Sequence, residues 1–347
     1  MKCMTDPRCR ASGFTLVELM IALVLGLIVI GGSLALFVSQ RVTSRMSGQM
    51  VDIQSEGRIA LDALARDLRS AGDFGCWPVS NPIDGRLNQM VFDVYKGGVR
   101  GFDDGAALLA TAASNELYGL SSVKAASPDA SSIVMLNGIF GSVTNTAADM
   151  SAEHDDLVVT APAQAFKAND VAVVTDCINW VKFQVTNVTD GSAAGTVNLA
   201  HEGSALNVWG GGNQFPALGA AFRKDSTVGR FDSIWWFIGT VGQKHGLYRF
   251  SPRDGAPILV SDKVLGMQIR YDVDTNADGM AETASQKASE VTNWPQVRSA
   301  SVQMLLRSSA TVSGGGVTTV SSFAGTAVPS DNHVYMPLQM TVALRNQ

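Results

Sequence analysis

The order of hydrophobic and polar residues divides the chain into parts of very different character. Residues 1–13 are polar, with three basic residues and one acidic residue. Phe14 to Val38 then form a run of 25 residues that carries one charge, Glu18. As a helix this run would be about 37 Å long, enough to cross a hydrocarbon core of about 30 Å. The pattern predicts a single membrane-spanning helix with its basic flank in the cytoplasm and the C-terminal bulk outside.

The helical pattern continues beyond the apolar run. No proline occurs from Ser39 to Ser70, and apolar residues recur at three- and four-residue steps at Ile53, Ala60, Leu64, Leu68 and Ala71. This spacing predicts an amphipathic helix, and Gly72 suits its C-terminal cap. We therefore expect one helical unit over 14–72 whose second half packs on a globular head. Three charged residues near its end are expected to form a solvated face: Arg66, Asp67 and Arg69.

Residues 73–347 have the alternation and the Gly, Asn, Asp and Ser turns of a β-rich head. Loops are expected at 103–115, 121–132 and 308–327, where Gly, Ala and Ser are frequent. With about 275 residues, the head should contain two packed sheets or an inserted subdomain, so the fold class is α+β. The predicted strands are Met90–Tyr95, Ile133–Leu136, Leu157–Ala161, Val171–Thr175, Val181–Val188, Ser233–Gly239, Gly246–Phe250, Leu265–Val273, Val297–Arg307 and Tyr335–Arg345.

Composition and charge narrow the function classes. Of the 347 residues 46% are hydrophobic and 16% charged, which argues against a disordered chain. The net charge of −5 gives no basic footprint for direct nucleic-acid binding. The four histidines are isolated, and neither a phosphate-binding loop nor a dinucleotide fingerprint is present. We expect a protein that is not an enzyme and that requires no cofactor.

Glu18 is unusual because it lies within the apolar run. An ionised carboxylate in lipid costs at least about 2.5 kcal/mol on the insertion scale, so it should have a partner and a function. The alternative is an ordinary cleaved signal peptide, for which Ser33-Leu34-Ala35 offers a cleavage site. The apolar run is longer than the 7–15 residues usual in a signal peptide. A signal peptide would also have no reason to carry Glu18.

The stretch Gly13-Phe14-Thr15-Leu16-Val17-Glu18-Leu19 resembles the prepilin motif of type IV pilins and type II secretion pseudopilins. The resemblance implies that a membrane prepilin peptidase removes residues 1–13 by cutting after Gly13 and then methylates the amine of Phe14. Glu18 would occupy the fifth position of the mature chain. The new ammonium and the Glu18 carboxylate would attract each other strongly in a helix bundle of low dielectric constant, which would set the register of assembly.

Two further stretches resemble the PilW minor pilins: the helix end at 57–72 before Cys76, and the C-terminal residues 336–346. The resemblance implies a single-pass inner-membrane protein with a periplasmic head, which then enters the pilus at the cell surface. It would prime pilus assembly with other minor pilins, the major pilin and the inner-membrane assembly platform, and would sit at the tip beside an adhesin. A minor pseudopilin of a type II secretion system is the nearest alternative, and a secreted enzyme or binding protein with a cleaved signal is the alternative from another class.

Removal of the leader would also remove Cys3 and Cys9 and leave Cys76 and Cys177 in an oxidising compartment. A disulfide between these two is favoured over a pair of unpaired buried thiols. It would tie the end of the helix to the middle of the head.

The one candidate metal site follows the pattern of an EF-hand-type Ca²⁺ loop. Oxygen side chains alternate before Gly279, but Ser285 stands where such a loop has its bidentate glutamate. A hairpin rich in Asp and Asn is the alternative. The candidate ligands are Asp272, Asp274, Asn276, Asp278 and Glu282.

Overall fold

The structure is a computed structural model that describes residues 13–76, 81–83, 87, 97–110, 119–160, 165–203, 212–312 and 320–344. Its first element is the helix α1, Leu16–Ser70. Thr15 caps the N-terminus of α1, and at the other end Gly72 has a φ of 77°, which is the left-handed conformation that glycine adopts without strain. The predicted helix and its glycine end are confirmed.

The two halves of α1 have different surroundings. The large apolar side chains of residues 14–38 are exposed, whereas contacts with the head begin at Val42 and become continuous from Ile53. At Gly57 the helix approaches the head closely. A Cβ there would lie 2.4 Å from a methyl group of Leu338 and 2.6 Å from one of Leu306. Glycine therefore lets the helix lie directly on the sheet that carries these leucines.

The described head residues form seventeen strands, the short helices α2 (Gly105–Ala110) and α3 (Leu120–Ala125), and two 3-10 turns, Ala288–Glu290 and Trp294–Gln296. The strands are β1 Asn81–Ile83, β2 Val99–Phe102, β3 Ile133–Asn145, β4 Leu157–Thr160, β5 Val171–Thr175, β6 Asn179–Gln184, β7 Asn187–Asp190, β8 Thr196–Ala200, β9 Thr227–Val241, β10 Lys244–Phe250, β11 Ile258–Ser261, β12 Val264–Val273, β13 Thr283–Gln286, β14 Val297–Arg307, β15 Ser322–Phe323, β16 Thr326–Ala327 and β17 Tyr335–Ala343.

The larger main sheet is organised around the long strand β9. Strand β3 pairs with one edge of β9, and β2 continues the sheet beyond β3. On the opposite edge, β5 pairs with residues 227–231 and β10 with residues 235–241. Strands β6 and β1 extend the sheet beyond β5, and β11 extends it beyond β10. The sheet therefore branches into two arms on one side of β9.

The second main sheet has the order β13-β12-β14-β17 and is antiparallel throughout. The described head also contains two small sheets, β4-β8-β7 and the hairpin β15-β16. One cluster of buried apolar side chains joins α1 to strands of both main sheets. The α+β layout is confirmed, with more sheets in the described head than the two that were predicted.

Several predicted elements differ from the structure. The strand predicted at Met90–Tyr95 lies outside the described residues. The strand predicted at Val181–Val188 is divided between β6 and β7, because Val185 bonds back to Asp170 while Thr186 pairs with Ala200 of the small sheet. The loops expected at 103–115 and 121–132 contain α2 and most of α3. Each helix forms because apolar residues from it are buried, Leu108 in α2 and Val123 in α3.

Candidate assembly site and its attachment to the head

The chain at the start of α1 forms a capping box between Thr15 and Glu18. The backbone N–H and the hydroxyl of Thr15 both donate to Oε2 of Glu18, at 3.0 Å each, and the Glu18 N–H donates to the Thr15 hydroxyl at 3.3 Å. Oε1 of Glu18 makes no hydrogen bond with the described residues. The carboxylate is thus held close to Phe14, with one oxygen available for a further partner.

Packing within the described structure does not require a glycine at position 13. A Cβ added at this position would meet nothing within 4 Å, and Phe14 beside it is 85% exposed. A larger side chain at 13 would therefore not disturb the described fold. If residue 13 must be glycine, the requirement comes from a molecule that acts on the chain.

The unpacked part of α1 is long and apolar. Leu16 to Arg41 would extend about 39 Å from the head at 1.5 Å per residue. The most apolar 18-residue window of the helix has a mean hydropathy of 2.8 and no part of it is buried. An exposed apolar surface of this extent requires a membrane or a bundle of other helices to cover it.

The other half of α1 is fixed to the head by a charged contact that was not predicted. The Asp67 carboxylate accepts from the indole N–H of the buried Trp236 at 2.9 Å and from Nε of Arg249 at 2.8 Å. The Asp67 side chain is 14% exposed, so the expected solvated face is wrong at this residue, while Arg66 and Arg69 are exposed as predicted. Since the partners lie 169 and 182 residues away, no local pattern could reveal them.

A second charged contact lies about three to four turns earlier in the helix. The ammonium group of Lys263, whose side chain is 9% exposed, contacts the Asp52 carboxylate and lies 3.4 Å from Oε1 of Glu56. Burial alone would lower the pKa of Lys263, but the two carboxylates outweigh it and raise that pKa. The lysine therefore stays charged and connects α1 to the turn before β12.

We expect Asp67→Ala to destabilise the attachment of α1 by about 1–3 kcal/mol, because Trp236 and Arg249 would lose their shared acceptor in a partly buried site. Asp62→Ala is the matched control, since Asp62 is exposed on the same helix. Thermal unfolding of the full chain in detergent measures the difference. Equal losses in the two variants would contradict a specific role for Asp67.

Cys76 and Cys177 form a disulfide, with their Cα atoms 4.9 Å apart. Beside it, the indole N–H of Trp180 donates to the Phe74 carbonyl at 3.0 Å, and the two aromatic rings pack edge to face. The amide of Ile139 in β3 donates to the Asp73 carbonyl at 2.7 Å. The chain that leaves α1 is therefore held to the larger sheet by covalent, aromatic and backbone contacts together.

The acidic loop after β12 brings together three carboxylates, those of Asp274, Asp278 and Glu282, with oxygens within 4.8 Å of one another. Asp274 is buried, and both its oxygens are engaged: Ala277 donates to Oδ1, while Gly279 and Arg298 donate to Oδ2. Asp278 and Glu282 are exposed. Since the Arg298 guanidinium already neutralises Asp274, the buried part of this loop fits a cation poorly.

Other loop contacts are those of a self-supporting turn. Asn276 and Asp278 hydrogen-bond each other, Thr275 donates twice to Glu282, and Asp272 accepts from Ser285 and Ser299 on neighbouring strands. Burial would raise the pKa of Asp274, but the bonds from Arg298 and the backbone outweigh it and lower that pKa. This carboxylate therefore stabilises the fold above about pH 4, and that contribution is lost as the pH falls further.

A long helix that is unpacked and apolar in its first half and fixed to a β-rich head in its second is the layout expected of a pilin-like protein. Residues 8–34 match the family model of the prokaryotic N-terminal methylation motif, and residues 249–346 match that of type IV pilus-assembly protein W. Together the two matches support a PilW-type pilin. No curated protein matches the chain.

The two matches fall on separate parts of the molecule, the start of α1 and the C-terminal strands. The first covers Gly13, Glu18 and the unpacked part of α1 up to Leu34. The second begins within β10 and includes β12, β14 and β17, whose Leu306 and Leu338 receive α1 at Gly57. Residues 35–248, which contain β1, β2, β3, β5, β6 and β9 of the larger sheet, lie outside both matches.

Proposed function

We propose that this protein is a minor pilin that helps to prime type IV pilus assembly and joins the pilus, in the complex at its tip, through α1. The observation that carries the proposal is the Glu18 carboxylate at the start of an unpacked apolar helix, five residues after Gly13, where a Cβ would meet nothing. A structural role of this kind needs no catalytic residue. The helix and the motif fit a membrane-anchored pilin.

Assembly would proceed from the charge at the end of the helix. Cleavage after Gly13 gives Phe14 a cationic amine, and Oε1 of Glu18 is available to accept from an amine. When neighbouring helices are staggered, the amine of one can meet the carboxylate of the next, and the low dielectric constant of the bundle strengthens the attraction. The exposed apolar side chains of residues 14–38 would be covered in the same step.

The proposed partners follow from this mechanism. The prepilin peptidase would process the chain, and the assembly platform, the other minor pilins and the major pilin would receive its helix. Before assembly the head would lie in the periplasm, and afterwards it would lie on the pilus beside a tip adhesin. A deletion strain tests this role: we expect few or no surface pili by electron microscopy, restored by the wild-type gene.

The remaining alternatives have less support. The match of residues 249–346 favours a pilus protein over a minor pseudopilin of a type II secretion system. A secretory signal cleaved after Ala35 would cut within the continuous helix α1, where Ser33 bonds to the Val29 carbonyl at 2.8 Å. Normal piliation together with lost secretion of hydrolases in the deletion strain would favour the pseudopilin.

We expect Gly13→Leu to block processing completely. The fold offers free space at this position, so the substitution should leave the head intact and act on the peptidase step alone. The precursor would migrate on a gel without the mobility shift that loss of residues 1–13 produces in the wild type. Gly48→Leu is a suitable control, because Gly48 also has open space around its Cα. A normal shift in Gly13→Leu would contradict the cleavage position.

Calcium binding by the acidic loop stays a prediction, with Asp278 and Glu282 as its exposed ligands. In detergent, the melting temperature of the full chain should be higher with calcium than with a chelator. A ligand at about 100 times its Kd stabilises the folded protein by about 2.7 kcal/mol. Asp278→Asn with Glu282→Gln should remove the difference. Identical melting temperatures for the wild type in calcium and chelator would contradict the prediction.

A further inference from the structure

Two adjoining cavities lie beside the strand β9: one is also lined by the last turns of α1 and by β10, and the other by residues 167–171. The first cavity has a volume of about 270 Å³, and we call it the arginine pocket. Four arginines line it: Arg66, Arg230, Arg249 and Arg253. The second, of about 220 Å³, lies beside it and shares Asp232 and Arg253 with it. Neither cavity has a part in the assembly mechanism of α1.

Two of the four guanidinium groups are already paired with carboxylates. Arg249 contacts Asp67 at 2.8 Å, with Asp254 further away at 3.9 Å. Nε of Arg253 contacts Asp170 at 2.8 Å. These pairs hold the walls of the pocket in place and leave little capacity for another anion at their Nε atoms.

The other two arginines have no such partner among the residues that the structure describes. Nε of Arg230 is buried without a hydrogen bond, and neither Arg230 nor Arg66 forms an ion pair there. Gly141 makes room for the Arg230 guanidinium: its φ is 100°, and a Cβ at this position would lie 2.7 Å from Nη2. The Arg230 side chain is only half-buried, but its buried Nε lacks an acceptor, and such a group is costly, so an anion from outside would stabilise it.

The acidic residues of the cavities do not meet this need. Asp232 is buried, and both of its oxygens accept bonds, from the Ser251 hydroxyl at 2.5 Å and from the Ser233 amide at 2.8 Å. Burial raises the pKa of Asp232 and lowers that of Arg230, in each case against the attraction between the two groups. Five basic side chains, the arginines and Lys167, line the cavities with four aspartates: Asp67, Asp170, Asp232 and Asp254.

We propose that the arginine pocket binds one carboxylate group between Arg66 and Arg230. A planar guanidinium pairs with a carboxylate through two parallel N–H bonds, and the excess of one positive charge suits a monoanion better than a dianionic phosphate. Arg66 lines the pocket and is exposed, whereas Nε of Arg230 is buried. The carboxylate has two possible sources: a small free acid, or an acidic side chain of a neighbouring subunit.

Acetate is the probe for the site itself. Calorimetric titration of the full chain in detergent, with chloride replaced by acetate at constant ionic strength, should show saturable binding. Arg66→Gln should weaken it roughly tenfold, as should Arg230→Lys, which keeps the charge but loses the planar fork. Arg58→Gln, an exposed arginine of the same helix away from the pocket, should bind as the wild type does.

Two results would overturn the proposal: no saturable acetate binding to the wild type, or equal binding by the wild type and Arg66→Gln. Because Arg66 is exposed, that variant should retain the wild-type melting temperature in chloride. The amount of the Arg66→Gln variant recovered in sheared fibres then distinguishes the two sources of the carboxylate. This second measurement rests on the proposed function. Reduced recovery assigns the carboxylate to a neighbouring subunit, and unchanged recovery assigns it to a free acid. The titration is independent of pilus assembly, so its failure leaves the proposed function standing.

Discussion

Glu18→Ala should leave cleavage after Gly13 intact and lower the amount of this protein in sheared fibres by roughly 100-fold. Removing one partner of a buried charge pair costs about 3–5 kcal/mol, since the remaining charge is left uncompensated, and this corresponds to two to four orders of magnitude in an equilibrium constant. The remaining charge here is the Phe14 ammonium, which would enter the bundle alone. Immunoblots of sheared fibres and of whole cells give the ratio, and the gel shift reports cleavage.

Glu18→Gln separates the charge from the helix cap. Glutamine keeps an oxygen that can accept from the N–H and hydroxyl of Thr15, as Oε2 of Glu18 does, but it carries no charge. We expect the glutamine variant to fail as alanine does. Incorporation restored by glutamine would show that Glu18 serves as a cap, and normal incorporation of both variants would remove the charge pair from the mechanism.

Replacing Cys76 and Cys177 together with serine should destabilise the head by about 4–5 kcal/mol. The disulfide closes a loop with a sequence separation of 101 residues, and a loop of this length accounts for such a loss through the entropy of the unfolded chain. Trp180 is a natural reporter, because it is buried beside the bridge and bonds to the Phe74 carbonyl. Intrinsic tryptophan fluorescence, to which Trp180 contributes as one of six tryptophans, gives the midpoint during denaturation of the full chain in detergent.

The matched control for the disulfide is the reduced wild type, which has lost the covalent bond but keeps both cysteine side chains. Reduced wild type and the double serine variant should unfold at the same lower midpoint, so that the loss belongs to the cross-link and not to the new hydroxyls. A double variant as stable as the oxidised wild type would contradict the expected contribution.

Features governed by neighbouring residues could be predicted from the sequence. The extent of α1 follows from a continuous apolar run, then a stripe at helical spacing, then Gly72, all within one stretch of chain. Strands such as β14 and β17 were found because alternation is also local. The branching of the larger sheet around β9 was not predictable, since its pairing partners come from residues 133–145, 171–175 and 244–250 and are chosen by packing.

The same division applies to the functional residues. Gly13 and Glu18 lie in one short motif, and the capping box that holds Glu18 involves residues three apart. The sequence around Asp67 is that of an exposed charge, because its partners Trp236 and Arg249 come from the distant strands β9 and β10. The pocket around Arg230 likewise exists only because α1, β3, β9 and β10 meet there.

The most direct test of the charge-pair mechanism is the N-terminal sequence and intact mass of this protein recovered from functional fibres. The mechanism predicts a chain that begins at Phe14 with a methyl group on its amine, because only that cut places an ammonium beside Glu18. Fibres that contain only the precursor with residues 1–13, or a chain that begins near Leu36, would contradict it.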